Sequence, residues 1–200
     1  MFKPFQLKLF RNGRWEYLSF TTQLLAVRVE GETVYSFHEK EAMSWHFSEA
    51  SFSYKYLNEH NTPYHLDAAG CIVGMGKRIQ SMIKGVKLTT CSAIPNKWFI
   101  AGDEKGGLHI YDWKLLSHVK SFHEHQGPIL SIKVDVHTNT VYFTGSDSKV
   151  GVVRLIGDEW KAGNSCRGQS HDVFSLELFG KYLIAGGLTT DLCFYDLVDG

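Results

Sequence analysis

The 200-residue chain lacks a surplus of either charge: 21 Lys and Arg stand against 21 Asp and Glu. A protein that neutralises many phosphates needs an excess of cations, so the balance argues against a dominant non-specific nucleic-acid binder and leaves only local basic patches open. Ten histidines add room for positive charge below about pH 6.5. Long apolar runs are missing too. No segment approaches the roughly 18 consecutive apolar residues of a membrane span. The opening stretch, MFKPFQLKLF, is interrupted by Pro4, Gln6 and Lys8 where a signal peptide carries an unbroken apolar core. The chain is predicted to be neither secreted nor embedded in a membrane. The four cysteines, Cys71, Cys91, Cys166 and Cys193, are too scattered for zinc-knuckle or thioredoxin spacings and read as small buried hydrophobes. Low-complexity segments and an inter-domain linker are also lacking. Hydrophobic residues at 44% and aromatics at 14% exclude a disordered chain.

No long helical period is present. Apolar residues alternate or run in short blocks bounded by Gly, Asp, Asn, Ser and Lys, which is the pattern of strands. Eight such runs stand out: Lys97 to Asp103, Gly107 to Trp113, Pro128 to Asp135, Thr140 to Gly145, Lys149 to Ile156, Asp172 to Phe179, Lys181 to Gly186 and Asp191 to Leu197. Their β-branched and aromatic content suits a pleated, half-buried surface. Leu24 to Phe37 reads as a hairpin turning near Glu30-Gly31, and Tyr64 to Met82 as another. Ser44 to Asn61, aromatic and polar, reads as a connection between strands.

The strands repeat. Three small-Gly steps follow an apolar run, and their glycines, Gly102, Gly145 and Gly186, lie 43 and 41 residues apart. The pairs Tyr111-Asp112 and Tyr195-Asp196 lie 84 apart, two steps of 42. His125 and His171, each opening a strand, lie 46 apart. A period of roughly 40–45 residues with four strands each is the spacing of propeller blades. Gly74 and Gly102 are only 28 apart, so one strand there is expected to be short or missing.

These residues resemble the WD40 repeat. Ala101 to Asp112 (AGDEKGGLHIYD) is similar to the blade ending in which a small-Gly turn precedes a strand closing in Trp-Asp. Tyr111-Asp112 and Tyr195-Asp196 stand where Trp-Asp would be, and His125 and His171 resemble the blade-opening histidine. Gly102, Tyr111, Asp112, His125, Gly145, Asp147, His171, Asp172, Gly186, Tyr195 and Asp196 are the structural blade residues that the resemblance implies. The pattern is degenerate. Lys105 and Thr189 sit where the tight-turn Asp is expected, and the strand around Lys149 to Ile156 ends in Arg-Leu-Ile with no aromatic-Asp. The His–Ser/Thr–Trp–Asp network of a strong repeat is expected to be incomplete throughout, with apolar packing holding the blades. The expected fold is all-β: a WD40-like β-propeller over residues 1–200, with clearer blades at 88–200 and degenerate ones at 1–87. At about 42 residues each, the chain holds four to five four-stranded blades. The family closes its ring with seven or more, so a partial or incomplete ring, or one completed by a partner, is the expectation.

Within the WD40 class, residues 97–197 are similar to the cirhin-type proteins of the small-subunit processome, members of its UtpA subcomplex. The features occur in order: the blade ending Gly106 to Asp112, the segment Leu116 to His125, the turn TGSDSK at Thr144 to Lys149, the exit LIGDEW at Leu155 to Trp160, Ser170-His171-Asp172-Val173 before a strand, and LIAGGLTTDL at Leu183 to Leu192. The family's Asp in the last motif is shifted or replaced here, and the N-terminal half shows no convincing match. The resemblance implies a non-enzymatic nucleolar scaffold that works with other UtpA proteins, pre-ribosomal RNA and the U3 snoRNP in pre-rRNA processing, with a link to rRNA transcription.

Three chemical readings compete with that picture. Ser131, His125 and Asp147 supply the residue types of a catalytic set, but no Gly-x-Ser-x-Gly elbow accompanies them and turn roles explain them. His123 and His125 alternate on one strand face with His118 and His109 nearby, as metal ligands can. An outer strand and a blade-opening His125, with the other histidines facing solvent, account for the same residues. Gly74-Met75-Gly76-Lys77-Arg78 has neither the spacing nor the following helix of a phosphate loop. No catalytic residue, metal or cofactor is therefore expected. Lys77 and Arg78 (with Lys84 and Lys87) and Lys161 and Arg167 form weak basic groups and are the candidate RNA or partner contacts, with Trp160 and His171 beside the second group. The alternative function is a generic WD40 adaptor, such as a substrate receptor of a ubiquitin ligase, acting in the cytoplasm.

Overall fold

A computed structural model of the chain describes residues 5–11, 14–20, 24–30, 33–38, 41–47, 52–58, 63–79, 85–188 and 190–197. Lys84, Thr189, the Gly31 turn residue and the Met82 end of the second expected hairpin lie outside them. Every regular element among the described residues is a strand. The chain divides into two compact units, Met1–Arg78 and Ile79–Gly200.

The first unit opens with a hairpin of β1 (Phe5–Arg11) and β2 (Arg14–Phe20). A four-stranded blade follows: β3 (Leu24–Glu30), β4 (Thr33–His38), β5 (Ala42–Phe47) and β6 (Phe52–Leu57), each antiparallel to the next. Ser44 to Asn61, read from sequence as a connection, thus holds most of β5 and all of β6. Its polar content hid buried positions: Trp45 is buried, and Ser44 beside it is as well. The second blade is three short strands, β7 (His65–Leu66), β8 (Ile72–Gly74) and β9 (Lys77–Ile79), the shortening that the close Gly74–Gly102 spacing implies. The Phe37 ring stacks on His65 with centroids 4.2 Å apart, which ties the two blades together.

The second unit is three blades in sequence order. The third blade is β10 (Leu88–Ile94), β11 (Trp98–Asp103), β12 (Gly107–Asp112) and β13 (His118–His123). The fourth is β14 (Ile129–Asp135), β15 (Thr140–Gly145), β16 (Val150–Ile156) and β17 (Glu159–Ala162). The fifth is β18 (Val173–Phe179), β19 (Tyr182–Gly187) and β20 (Leu192–Asp196). The first hairpin of each turns through a residue with positive φ: Asn96 (61°), Asn139 (50°) and Gly180 (58°), the residue types that tolerate that region. All eight strong strand runs of the sequence lie on these elements.

The register fixes the repeat. In β3, β10, β14 and β18 the pairing shifts just after the first residue, so Leu25, Thr89, Leu130 and Phe174 are bulged at one place in four blades. Beyond the bulge, Thr90 faces Gly102, Ser131 faces Thr144 and Ser175 faces Gly186. The equivalent residues are therefore Gly102, Thr144 and Gly186, each 42 residues after the last. Gly145 is one position beyond, and that slip is why the glycines alone read 43 and 41. On the third strand, Tyr111-Asp112, Val153-Arg154 and Tyr195-Asp196 are equivalent at the same interval of 42. The first blade puts Trp45-His46 at that place.

Apolar packing joins the blades. One core draws Ile94, Ile100, Leu108 and Ile110 from the third blade and Ile129, Ile132, Val141, Phe143 and Val153 from the fourth. A second joins Tyr142, Val150 and Val152 to Val173, Leu176, Leu183 and Ala185 of the fifth. The first strands of neighbouring blades also meet through polar atoms: Thr89 Oγ1 donates to the Ile129 carbonyl at 2.6 Å, and the Leu176 amide donates to Ser131 Oγ at 3.3 Å. An array of sheets with this repeat is the blade architecture of a WD40-like β-propeller.

Candidate functional site

A cleft of about 560 Å³ opens where loops of the last three blades converge. The segment between the third and fourth blades supplies His123, Glu124, His125 and Gln126; the second turn of the fourth supplies Asp147, Ser148 and Lys149; the approach to the fifth supplies Arg167 and Gln169. His125 is 5% exposed, and its Nδ1 meets Asp147 Oδ1 at 2.5 Å. Its ring stands edge-on to Phe143, with centroids 5.1 Å apart. His125 Nε2 and Thr144 Oγ1 are buried without a hydrogen-bond partner among the described residues. The fourth blade so keeps the His–Asp half of a WD40 network and lacks the rest.

His171 stands exposed, with Ser170 Oγ 3.1 Å from its Nδ1. The place that corresponds to His125, four residues before the strand, belongs instead to Gln169, which is buried and donates from Nε2 to the Ala185 carbonyl at 3.0 Å. Asp172 uses its backbone: its carbonyl accepts from Leu188 N at 3.1 Å, and a Cβ on Gly187 would lie 1.9 Å from that oxygen. Asp112 Oδ1 accepts from the amides of Lys114 and Leu115 and so closes the turn after β12. Asp196 pairs with Lys181 Nζ at 2.5 Å. Tyr111 is fully buried, and burial pushes the Tyr195 hydroxyl up to about 12.

The basic candidates fall apart into separate settings. Arg78 Nη2 is 2.7 Å from Asp67 Oδ2 in the first unit, and Lys77 beside it is exposed. Lys161, exposed on β17, pairs with Glu159 at 3.3 Å. Among the described candidates only Arg167 lines the cleft, together with Lys149 of the fourth blade. Trp160 is 2% exposed and packs edge-on against Trp98, with centroids 5.9 Å apart, so it offers no stacking face to a nucleic-acid base.

A second polar assembly lies inside the third blade. Asp103 Oδ2 is 2.7 Å from His109 Nε2, and both side chains are 1% exposed. His109 Nδ1 and His118 Nε2 each lie 2.7 Å from Ser121 Oγ. Asp103 Oδ1 accepts from the amides of Lys105 and Gly107. Burial works against the Asp103 carboxylate, but the bonds from His109, Gly107 and Lys105 outweigh it and hold its pKa below the ordinary value. With Asp103 ionised, His109 Nε2–H donates to it, and Ser121 Oγ lies between the His109 and His118 rings. Burial, then the neighbouring His109, lowers the pKa of His118. The turn that carries Asp103 needs Gly106: its φ is +89°, and a Cβ there would lie 2.1 Å from the His125 carbonyl oxygen. The sequence places Lys105 where a tight-turn Asp belongs. The acid that shapes the turn is Asp103, two residues earlier, and His109 is buried rather than solvent-facing. The order acid–imidazole–hydroxyl matches a relay, but Ser121 is outside the cleft's lining and its oxygen is held by a second imidazole. Ser131, named from sequence beside His125 and Asp147, accepts from Leu176 N instead. Among the described residues, no cluster of three or more His, Cys, Asp or Glu is placed to hold a metal.

No protein-family model and no curated protein matches the chain. Solved structures do. The chain is similar to the computationally designed Ika8 protein with a TM-score of 0.67 at 13% identity, over 96% of this chain and 65% of that one. It is similar to the designed Ika4 protein with a TM-score of 0.55 at 12% identity, over 88% of this chain and 92% of that one. A chain of the mitotic checkpoint complex gives a TM-score of 0.52 at 13% identity, over 83% of this chain and 44% of that one. The chain thus spans less than two thirds of the Ika8 chain and under half of the checkpoint chain. At these identities the likeness is one of fold.

Proposed function

We propose that the protein is a non-enzymatic WD40-like scaffold that holds partner proteins. The observation that carries this reading is the cleft itself: three blades joined in turn by two apolar cores hold loops from three parts of the chain around one polar opening. Rigid sheets presenting convergent loops suit recognition. The paired His125–Asp147 and the Asp103–His109–Ser121 relay then serve to lock the loops and the blade interior.

For the identity of the partners, we propose the nucleolar small-subunit processome: other UtpA proteins, pre-rRNA and the U3 snoRNP, with a role in 18S rRNA maturation and rRNA transcription. The support for it is the order of motifs over residues 97–197. The second reading is a generic adaptor in the cytoplasm, for instance a ubiquitin-ligase receptor. It is favoured by the electrostatics: Arg78 and Lys161 are engaged by Asp67 and Glu159, and Trp160 is inside the core. Localising a tagged copy and identifying what it captures separates the two. Nucleolar signal with processome proteins and pre-rRNA supports the first; cytosolic signal with ligase subunits replaces it by the second; no captured protein at all removes the scaffold reading.

A further inference from the structure

We infer that the cleft between the last three blades receives the phosphoryl group of a phosphorylated serine or threonine on a partner protein. The inference rests on the protein-binding reading above and names the chemistry of that partner.

Lys149, half-buried, and Arg167, exposed, face the cleft, and neither forms an ion pair with a described acid. Two acids share the lining, but Asp147 is engaged by His125, which leaves Glu124 as the acid without such a partner. Lys149 and Arg167 against Glu124 leave the cleft an unpaired charge of +1, which draws an anion, and a planar guanidinium can bind two phosphoryl oxygens at once. At about 560 Å³ the cleft is several times larger than a phosphate and has room for a phosphorylated side chain with its neighbouring residues.

The same lining speaks against RNA. Bases of single strands stack on Phe, Tyr, Trp, His or Arg planes; the cleft's lining contains no Phe, Tyr or Trp, and its exposed ring is His123. A phosphoryl group offers the two cations three terminal oxygens where a carboxylate offers two.

The test uses the full chain and four fluorescent probes: a degenerate phosphoserine peptide pool, the same pool dephosphorylated, the pool with glutamate in place of phosphoserine, and oligouridylate. The phosphorylated pool is expected to bind, with the dephosphorylated and glutamate pools at least about tenfold weaker, and with inorganic phosphate as a competitor. Arg167→Gln and Lys149→Gln are each expected to weaken it by about tenfold or more, the loss of one charge-assisted hydrogen bond. Lys161→Gln, on β17 and outside the cleft, is expected to leave it unchanged. Melting temperatures within a degree or two of the parent show that the variants are folded; if either cleft variant unfolds, phosphate competition on the parent decides. Equal binding of the phosphorylated and dephosphorylated pools, equal binding of the glutamate pool, insensitivity to both cleft variants and to phosphate, or preferential binding of oligouridylate overturns the inference. Capture of partner proteins that survives phosphatase treatment, with peptide pools that fail to bind, overturns it and leaves the scaffold reading standing. Failure to capture any partner removes both.

Discussion

At the same cross-strand place in the third and fourth blades, Ala101 faces His109 and Phe143 faces Gly151. In the third blade the small residue is on the second strand and the ring on the third; in the fourth the order is reversed. The fifth blade pairs Ala185 with Cys193 there, and the first pairs Ser36 with Met43. One site of limited volume is therefore filled from either strand but not from both, as close packing requires. What fills it decides the chemistry around it. The Phe143 ring lies where a Cβ on Gly151 would come within 2.4 Å of its Cζ, and the neighbouring position is Gly145. The His109 imidazole needs partners, and Asp103 stands at the position of Gly145 to supply one. A polar ring brought a buried acid with it; an apolar ring brought glycine.

Phe143→Ala breaks the apolar solution and has the largest expected effect. Loss of a fully buried ring between the third and fourth blades costs about 3–5 kcal/mol, read by denaturant titration. Asp103→Asn breaks the polar one, with an expected loss of about 1–3 kcal/mol from the unsatisfied buried groups. It also changes the acid limb. The folded-state pKa of Asp103 lies below its unfolded value, so its contribution is complete above an unfolded value of about 3.9 and is lost as pH falls through the lower folded value. The variant is expected to show a shallower loss of stability below about pH 4. Gly151→Ala tests the volume limit: alone it costs roughly 1–3 kcal/mol, and in the Phe143→Ala background the added methyl costs less, a coupling that a double-mutant cycle measures. A full penalty in both backgrounds removes the shared-volume account. The smallest effect belongs to the inter-blade ion pair. Lys133 Nζ is 2.8 Å from Glu177 on the next blade, with Glu177 exposed and Lys133 half-buried, and Lys133→Ala is expected to change stability by less than about 1 kcal/mol and to matter less in high salt.

The strands of the second unit were legible because their buried faces are β-branched and aromatic and their ends carry turn residues. The blade around Ser44 was not, because its core is partly polar. Trp45 Nε1 donates to Ser36 Oγ at 2.8 Å with His38 Nε2 at 3.3 Å from the same oxygen, so two of three inward groups look hydrophilic on paper. That blade also holds the Trp at the end of its third strand, the strongest WD-type feature in the chain, hidden by His46 where Asp is expected. A search for Ser and Trp nine residues apart would have found it. The cleft was half legible. Asp147 and His125 were named from their motif and Arg167 from its charge, but Lys149 and Gln169 were not, because nothing in the local sequence states that three loops converge. The Asp103–His109 pair was missed because alternation on β12 marks His109 as a strand residue without telling that the acid at the end of β11 will meet it.

Residue-resolved hydrogen exchange on the full chain tests the central claim, a blade repeated at a constant cross-strand register. The account predicts maxima of protection on the second strands of the last three blades, centred on Ile100, Tyr142 and Ile184 at intervals of 42, with fast exchange in the loops between them. One continuous protected segment, or maxima that do not recur at that interval, would contradict it.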